Sequence, residues 1–286
     1  MAQLTLEGFI GAADTVTENF LVSVYPALAG AIEHAVGYAA IIYWALFGYK
    51  VYAGLAALEW RELAAKTVMT CSVFASLSWG GFGSQIYHLF VEFMDSAAGT
   101  MMAGESASSM LNALLINADR ISATLRAANF YQINGIIEGS FILLLNCLLF
   151  TVAVFYMTIS KLGLAVTMVL LPLFIGFSLF PQTRHWFMNW LNRMMHFSLI
   201  YILVVAIVKF AFVAFGQYID EVGRASGYQE ARLITTGVIT NLCVVELVLI
   251  GFMLQVNEWA RALSGSIAAQ GGAMAMRWMN ALRSLK

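Results

Sequence analysis

Apolar positions along the chain fall into runs of about twenty, separated by shorter polar stretches. Residues 32–58, 67–90, 139–160, 197–219 and 233–256 are each nearly free of charge. About twenty residues at 1.5 Å rise cross the hydrocarbon of a bilayer, so each run is long enough to span it. A further run, 162–181, follows directly on 139–160 and is interrupted at Pro172 and Gly176. Ahead of the first span, Leu4, Phe9, Ile10, Val16, Phe20, Leu21 and Val24 recur at roughly helical spacing among Glu7, Asp14 and Glu18. That pattern predicts an amphipathic helix over 1–31, lying on a membrane surface or against a partner.

The one long polar stretch is 91–138. It holds a Gly/Ser/Met-rich loop (97–109) and then a helix (110–128) with Leu111, Leu114, Leu115, Ile121 and Leu125 on one side. Within 67–90, small residues such as Ser72, Ala75, Ser76, Gly81 and Gly83 predict close helix contact. Past residue 256 a flexible stretch (264–272) leads to a short basic helix (273–286), where Met274, Trp278 and Leu282 oppose Arg277, Arg283 and Lys286.

Composition strengthens the membrane reading. The chain is 61% hydrophobic and 11% charged, has three prolines in 286 residues, and its mean hydropathy is +0.79. A soluble domain does not carry that balance. The fold class expected is all-α, a polytopic transmembrane helical bundle of about five spans with a broken or re-entrant apolar segment. A net charge of −1 gives no global attraction to nucleic acid. Cys71, Cys147 and Cys243 each fall inside a span and read as small hydrophobes rather than as disulfides or ligands. No cleaved signal peptide is expected, because 1–33 carries acids and no Lys or Arg.

Lys and Arg set the expected orientation. With 162–181 not spanning fully, the N-terminus lies outside. Arg61, Lys66, Lys161, Arg184, Arg193, Arg261 and the tail are then inside, and Arg120, Arg126, Arg224 and Arg232 outside. If 162–181 spans, six spans result with both termini inside. Five is favoured, because Pro172 breaks the run and both its flanks are basic. The divisions follow: a periplasmic helix (1–31), a transmembrane hairpin (32–90), a central periplasmic loop with a helix (91–138), a transmembrane region (139–256) and a cytoplasmic basic tail (257–286).

Two charges stand inside spans. Lys209 and Glu246 lie roughly 18 and 15 Å from the inner ends of consecutive runs at helical rise. A lone charge at that depth costs at least about 2.5–3.5 kcal/mol, so an intramembrane ion pair is expected. It serves either to fix helix register or as a conduction or proton-relay site. Asn146 and Asn241 can add interhelical hydrogen bonds. The four histidines show no ligand spacing, and the glycines of 79–83 lack the Lys-Ser/Thr of a phosphate loop. No catalytic constellation, cofactor or metal site is expected, and the chain is not expected to be an enzyme.

The most specific stretch is 160–191, SKLGLAVTMVLLPLFIGFSLFPQTRHWFMNWL. Pro172 removes a backbone donor at membrane depth, tolerated only where protein or water covers the break. Arg184, beside Thr183 and among Trp186, Phe187 and Trp190, is expected to anchor the segment at the headgroup level. Ser160, Lys161, Leu162, Pro172, Leu173, Phe174, Phe180, Pro181, Thr183, Arg184, Phe187, Trp190 and Leu191 together resemble a signature. It is that of the polytopic inner-membrane subunits of bacterial type IV secretion systems, the family of TrbL and the sixth VirB protein. The detailed resemblance covers about thirty residues.

The resemblance implies an inner-membrane platform or channel component that supports conjugative DNA or effector transfer and pilus assembly. Implied partners are a homo-oligomeric ring (a pentamer being one option), minor and major pilins, bitopic inner-membrane subunits with periplasmic domains, and the secretion ATPase complex. Phospholipid and passing DNA or protein substrate complete the set. Lys161, Pro172, Phe174, Phe180, Thr183, Arg184 and Trp190 are the implied assembly residues. The reading from another class is a small secondary transporter or ion channel using Lys209 and Glu246.

Overall fold

The computed structural model of the protein describes residues 6–55, 57, 59–102, 109, 111–113, 116, 133–224 and 236–283. Every regular element among them is helical. These are α1 (Leu6–Tyr52), α2 (Trp60–Ala75), α3 (Ser84–Met102), α4 (Ile133–Val169), α5 (Leu171–Phe177), α6 (Arg184–Arg224) and α7 (Thr236–Arg283). Four stretches are long and apolar enough to cross a membrane: Gly11–Tyr52, Gly139–Val169, Arg184–Ala214 and Thr240–Gly265. Each leaves large apolar side chains uncovered, among them Ile41, Leu144, Val213 and Leu254. Water would penalise such surfaces and lipid does not. The all-α polytopic class is therefore what the chain adopts.

Several boundaries differ from expectation. The amphipathic helix and the first span are one helix, α1, about 70 Å long at 1.5 Å per residue. Pro26 and Gly30 are both accommodated inside the helix. The inward face of α1 is Thr17, Leu21, Tyr25, Ala29, Val36, Ala40 and Phe47, while Val16 points outward. The second expected span, 67–90, is divided. α2 ends at Ala75, and a widened turn at Trp79–Gly83 precedes α3. Its small residues accommodate a break: a Cβ on Gly81 would lie 2.6 Å from the Ala75 carbonyl oxygen.

Residues 139–160 and 162–169 belong to one helix, α4, which ends where Pro172 approaches. The tail does not loosen at 264–272, since α7 runs unbroken to Arg283. Its glycines there are interspersed with alanines, and no proline intervenes. Of the loop expected over 97–109, residues 97–102 form the end of α3; the rest of it and the helix expected over 110–128 lie, apart from isolated positions, outside the described residues.

The chain forms two compact units. One comprises 1–12, 94–160 and 199–260. In it, α4 buries Ile142, Leu145, Leu149 and Ala153, α6 buries Val204, Val205, Val208 and Ala211, and α7 buries Leu242, Leu249, Met253 and Val256. Spacings mostly of three, four and seven are the signature of helices each turning one stripe inward. The other unit comprises 13–93, 161–198 and 261–286. There α4 and α6 approach closely, with the Phe197 ring filling the space that a Cβ on Gly163 would need. Small residues at helix crossings allow this.

Candidate functional site

The segment 160–191 folds as a helical hairpin whose tip is built around Pro172. A proline cannot donate the i→i−4 bond, so α4 ends at Val169 and its last carbonyls need other donors. Leu170 N–H reaches back to the Thr167 carbonyl at 3.2 Å. The Trp190 indole N–H, on the returning helix α6, donates to the same carbonyl at 2.7 Å. Pro172 is buried, as are Leu171 and Ile175 around it. At the other end of α5, Thr183 Oγ1 donates to the Phe177 carbonyl at 2.8 Å, capping that short helix. The Thr167 and Phe177 carbonyls, on either side of the break, thus gain partners inside the hairpin.

The same hairpin rests on α1 at three levels. Lys161 Nζ meets both carboxylate oxygens of Asp14, at 2.7 and 2.8 Å. Gly176 approaches Val36 so closely that a Cβ would lie 3.3 Å from its Cγ2. Phe180 meets Tyr43 edge to face, centroids 6.0 Å apart. Tyr43 in turn accepts a hydrogen bond from Lys66 Nζ at 3.4 Å, and that ammonium lies 4.6 Å from the Phe47 ring centroid. Trp44 Nε1 donates to Thr70 Oγ1 at 3.2 Å. Farther along α1, the buried Tyr25 hydroxyl donates to the Ser76 carbonyl, and its ring packs on Trp79 at 5.0 Å. Tyr25 thereby fixes the turn that divides α2 from α3.

Of the expected assembly residues, the hairpin gathers Lys161, Pro172, Phe174, Phe180, Thr183, Arg184 and Trp190 into one unit, in different roles. Trp190, expected beside Arg184 as an anchor, is buried and its indole donates within the hairpin. The Phe187 ring stacks on it at 5.7 Å. Trp186 is half exposed and leans on Phe177, which also meets Phe174. The open rim of the tip is Pro181, Gln182, Arg184 and His185. Pairing with Asp14 was not foreseen for Lys161.

Lys209 and Glu246 are not joined. Among the described residues the ion pairs within 4 Å are Lys66–Glu62 and Lys161–Asp14. Glu246 is sealed from solvent, and its Oε1 accepts from Asn146 Nδ2 at 3.5 Å, while Oε2 has no partner. Lys209 is half-buried on α6. Both belong to the same compact unit, so the transporter-like site would have had to form there. The Asn146 partnership depends on α4 and α7 lying alongside with a sequence offset of a hundred residues. Nothing in local sequence carries that offset.

An all-α chain with four bilayer-length helices and a proline-broken hairpin, tied internally by Trp190, is a multi-pass membrane protein. Residues 40–256 match the family described as TrbL/VirB6 plasmid conjugal transfer protein. That is more than half of the chain, and it takes in the whole hairpin; the protein belongs to this family. No curated protein matches the chain.

Replacing Trp190 with Phe removes the bond to Thr167 and shrinks a buried ring. It should lower stability by about 1–3 kcal/mol, whereas Arg184→Ala, on the open rim, should change it by no more than about 0.5 kcal/mol. Thermal unfolding of the purified protein in detergent reads both. Equal effects would contradict the inward role of the indole. Asn146→Leu leaves a buried carboxylate without a donor and should cost about 1–3 kcal/mol. Exchanging the charges of Lys209 and Glu246 should not recover the stability that Glu246→Lys loses.

Proposed function

We propose that the protein is an inner-membrane platform subunit of a type IV secretion system, supporting conjugative transfer of DNA or delivery of effector protein and assembly of the pilus. Membership of a conjugal transfer family carries this reading. The form of the hairpin supports it: the break at Pro172 is tied off inside the chain, leaving the rim of Pro181, Gln182, Arg184 and His185 free to meet a partner. Such a subunit works by position rather than by chemistry. In this reading it has no catalytic activity, and the energy for transfer comes from the ATPase complex of the apparatus.

The surroundings in this reading are a ring of identical copies, pilin subunits, and bitopic subunits with periplasmic domains. The substrate passes close to the segment 91–138. Arg184, next to the exposed edge of Trp186, is suited to a phosphate headgroup at the membrane interface. The basic tail, 257–286, would sit at the cytoplasmic face against anionic lipid or a cytoplasmic component.

In cells that depend on this gene for mating, its deletion should abolish transfer, and the intact gene should restore it. Arg184→Glu should give a protein that accumulates in the membrane at the normal level yet transfers poorly, because the rim and not the fold has been altered. Donor counts on selective plates, with immunoblots of membrane fractions, measure this. Full transfer by the deletion strain would overturn the proposal.

A further inference from the structure

We propose that the face of α6 around Lys209 docks a membrane-spanning helix of a different chain, one that carries an aspartate or glutamate within its own apolar stretch. Lys209 lies inside the apolar span Arg184–Ala214 and is only half-buried. Beside it Phe210 and Val213 are exposed, so the amine sits in an open apolar patch. An ammonium in hydrocarbon is strongly disfavoured unless it is paired or reaches water. The next polar residue along the chain is Gln217, about 12 Å away at helical rise and about twice the length of a lysine side chain.

No described residue supplies the missing anion. No carboxylate among the described residues lies within 4 Å of Lys209. Glu246, in the same compact unit, is sealed and engaged with Asn146, which also makes it unavailable to Lys209 of a second copy. The printed end of the span, Ala214, lies about 7.5 Å farther along α6 at helical rise, and side chains on a helix lean towards its N-terminus, so the amine is directed away from a phosphate at that end. A carboxylate offered by a neighbouring helix satisfies both the charge and the depth, and the apolar side chains beside it give that helix a surface to pack on. This inference does not rest on the proposed function, because such a complex can form whether or not transfer proceeds.

The test places a photo-crosslinking residue at Phe210, and separately at Val213, in the full chain in cells carrying the transfer genes. Adducts are then sequenced by mass spectrometry. The expected adduct is an apolar span of another chain containing Asp or Glu. It should be lost when that acid becomes its amide and when Lys209→Met is introduced, and kept with Lys209→Arg. Adducts only to lipid, adducts only to a second copy, or adducts indifferent to the acid would each overturn the proposal. Should Lys209→Met fail to accumulate, the amide variant of the partner decides alone.

Discussion

The hydrogen bond from the Trp190 indole to the Thr167 carbonyl is the contact on which the hairpin depends. Pro172 cannot continue α4, and in apolar surroundings a carbonyl without a donor is costly. A donor arriving from the returning helix converts that cost into a register: α6 must come back at the height where its twenty-third residue beyond Thr167 meets the broken end. The neighbouring contacts obey that register. Phe197 closes on Gly163 two turns farther along, and Thr183 caps α5 at the tip.

With the hairpin fixed, α1 has a defined surface to lie against. Asp14, Val36 and Tyr43 meet Lys161, Gly176 and Phe180 in the same order along both segments, so the two run in parallel. α1 then holds the turn between α2 and α3 through Tyr25, and holds α2 through Trp44 and Tyr43. The signature residues therefore act first on their own chain. What they leave outward is small: a polar rim with one arginine and the edge of one tryptophan. For a subunit of a transfer apparatus that division makes sense, since a rim presented by a rigid tip can be recognised without reordering the chain.

Helical spacing and apolar run length made the fold class legible, and the missing donor of Pro172 made the break legible. The direction of Trp190 was not. A tryptophan beside an arginine reads as an interfacial anchor by composition, and only the Thr167 carbonyl in the last turn of α4, twenty-three residues earlier, receives it inward. The division of 67–90 was hidden because its small residues suit a tight crossing and a tight turn equally; Tyr25, fifty-one residues away, selects the turn. Lys209 and Glu246 invited pairing because opposite charges in apolar spans usually meet. Asn146 takes the carboxylate instead, through a helix alignment that no local pattern encodes.

The indole of Trp190 ties the last turn of α4, beside the proline break, to the returning helix. Solid-state NMR of the protein in lipid bilayers, with 15N on tryptophan and 13C on the threonine carbonyls, tests it most directly. The expected result is a short-range dipolar contact between Trp190 Nε1 and the Thr167 carbonyl carbon, together with an indole proton shielded from exchange. An indole that exchanges readily with interfacial water and shows no such contact would contradict it.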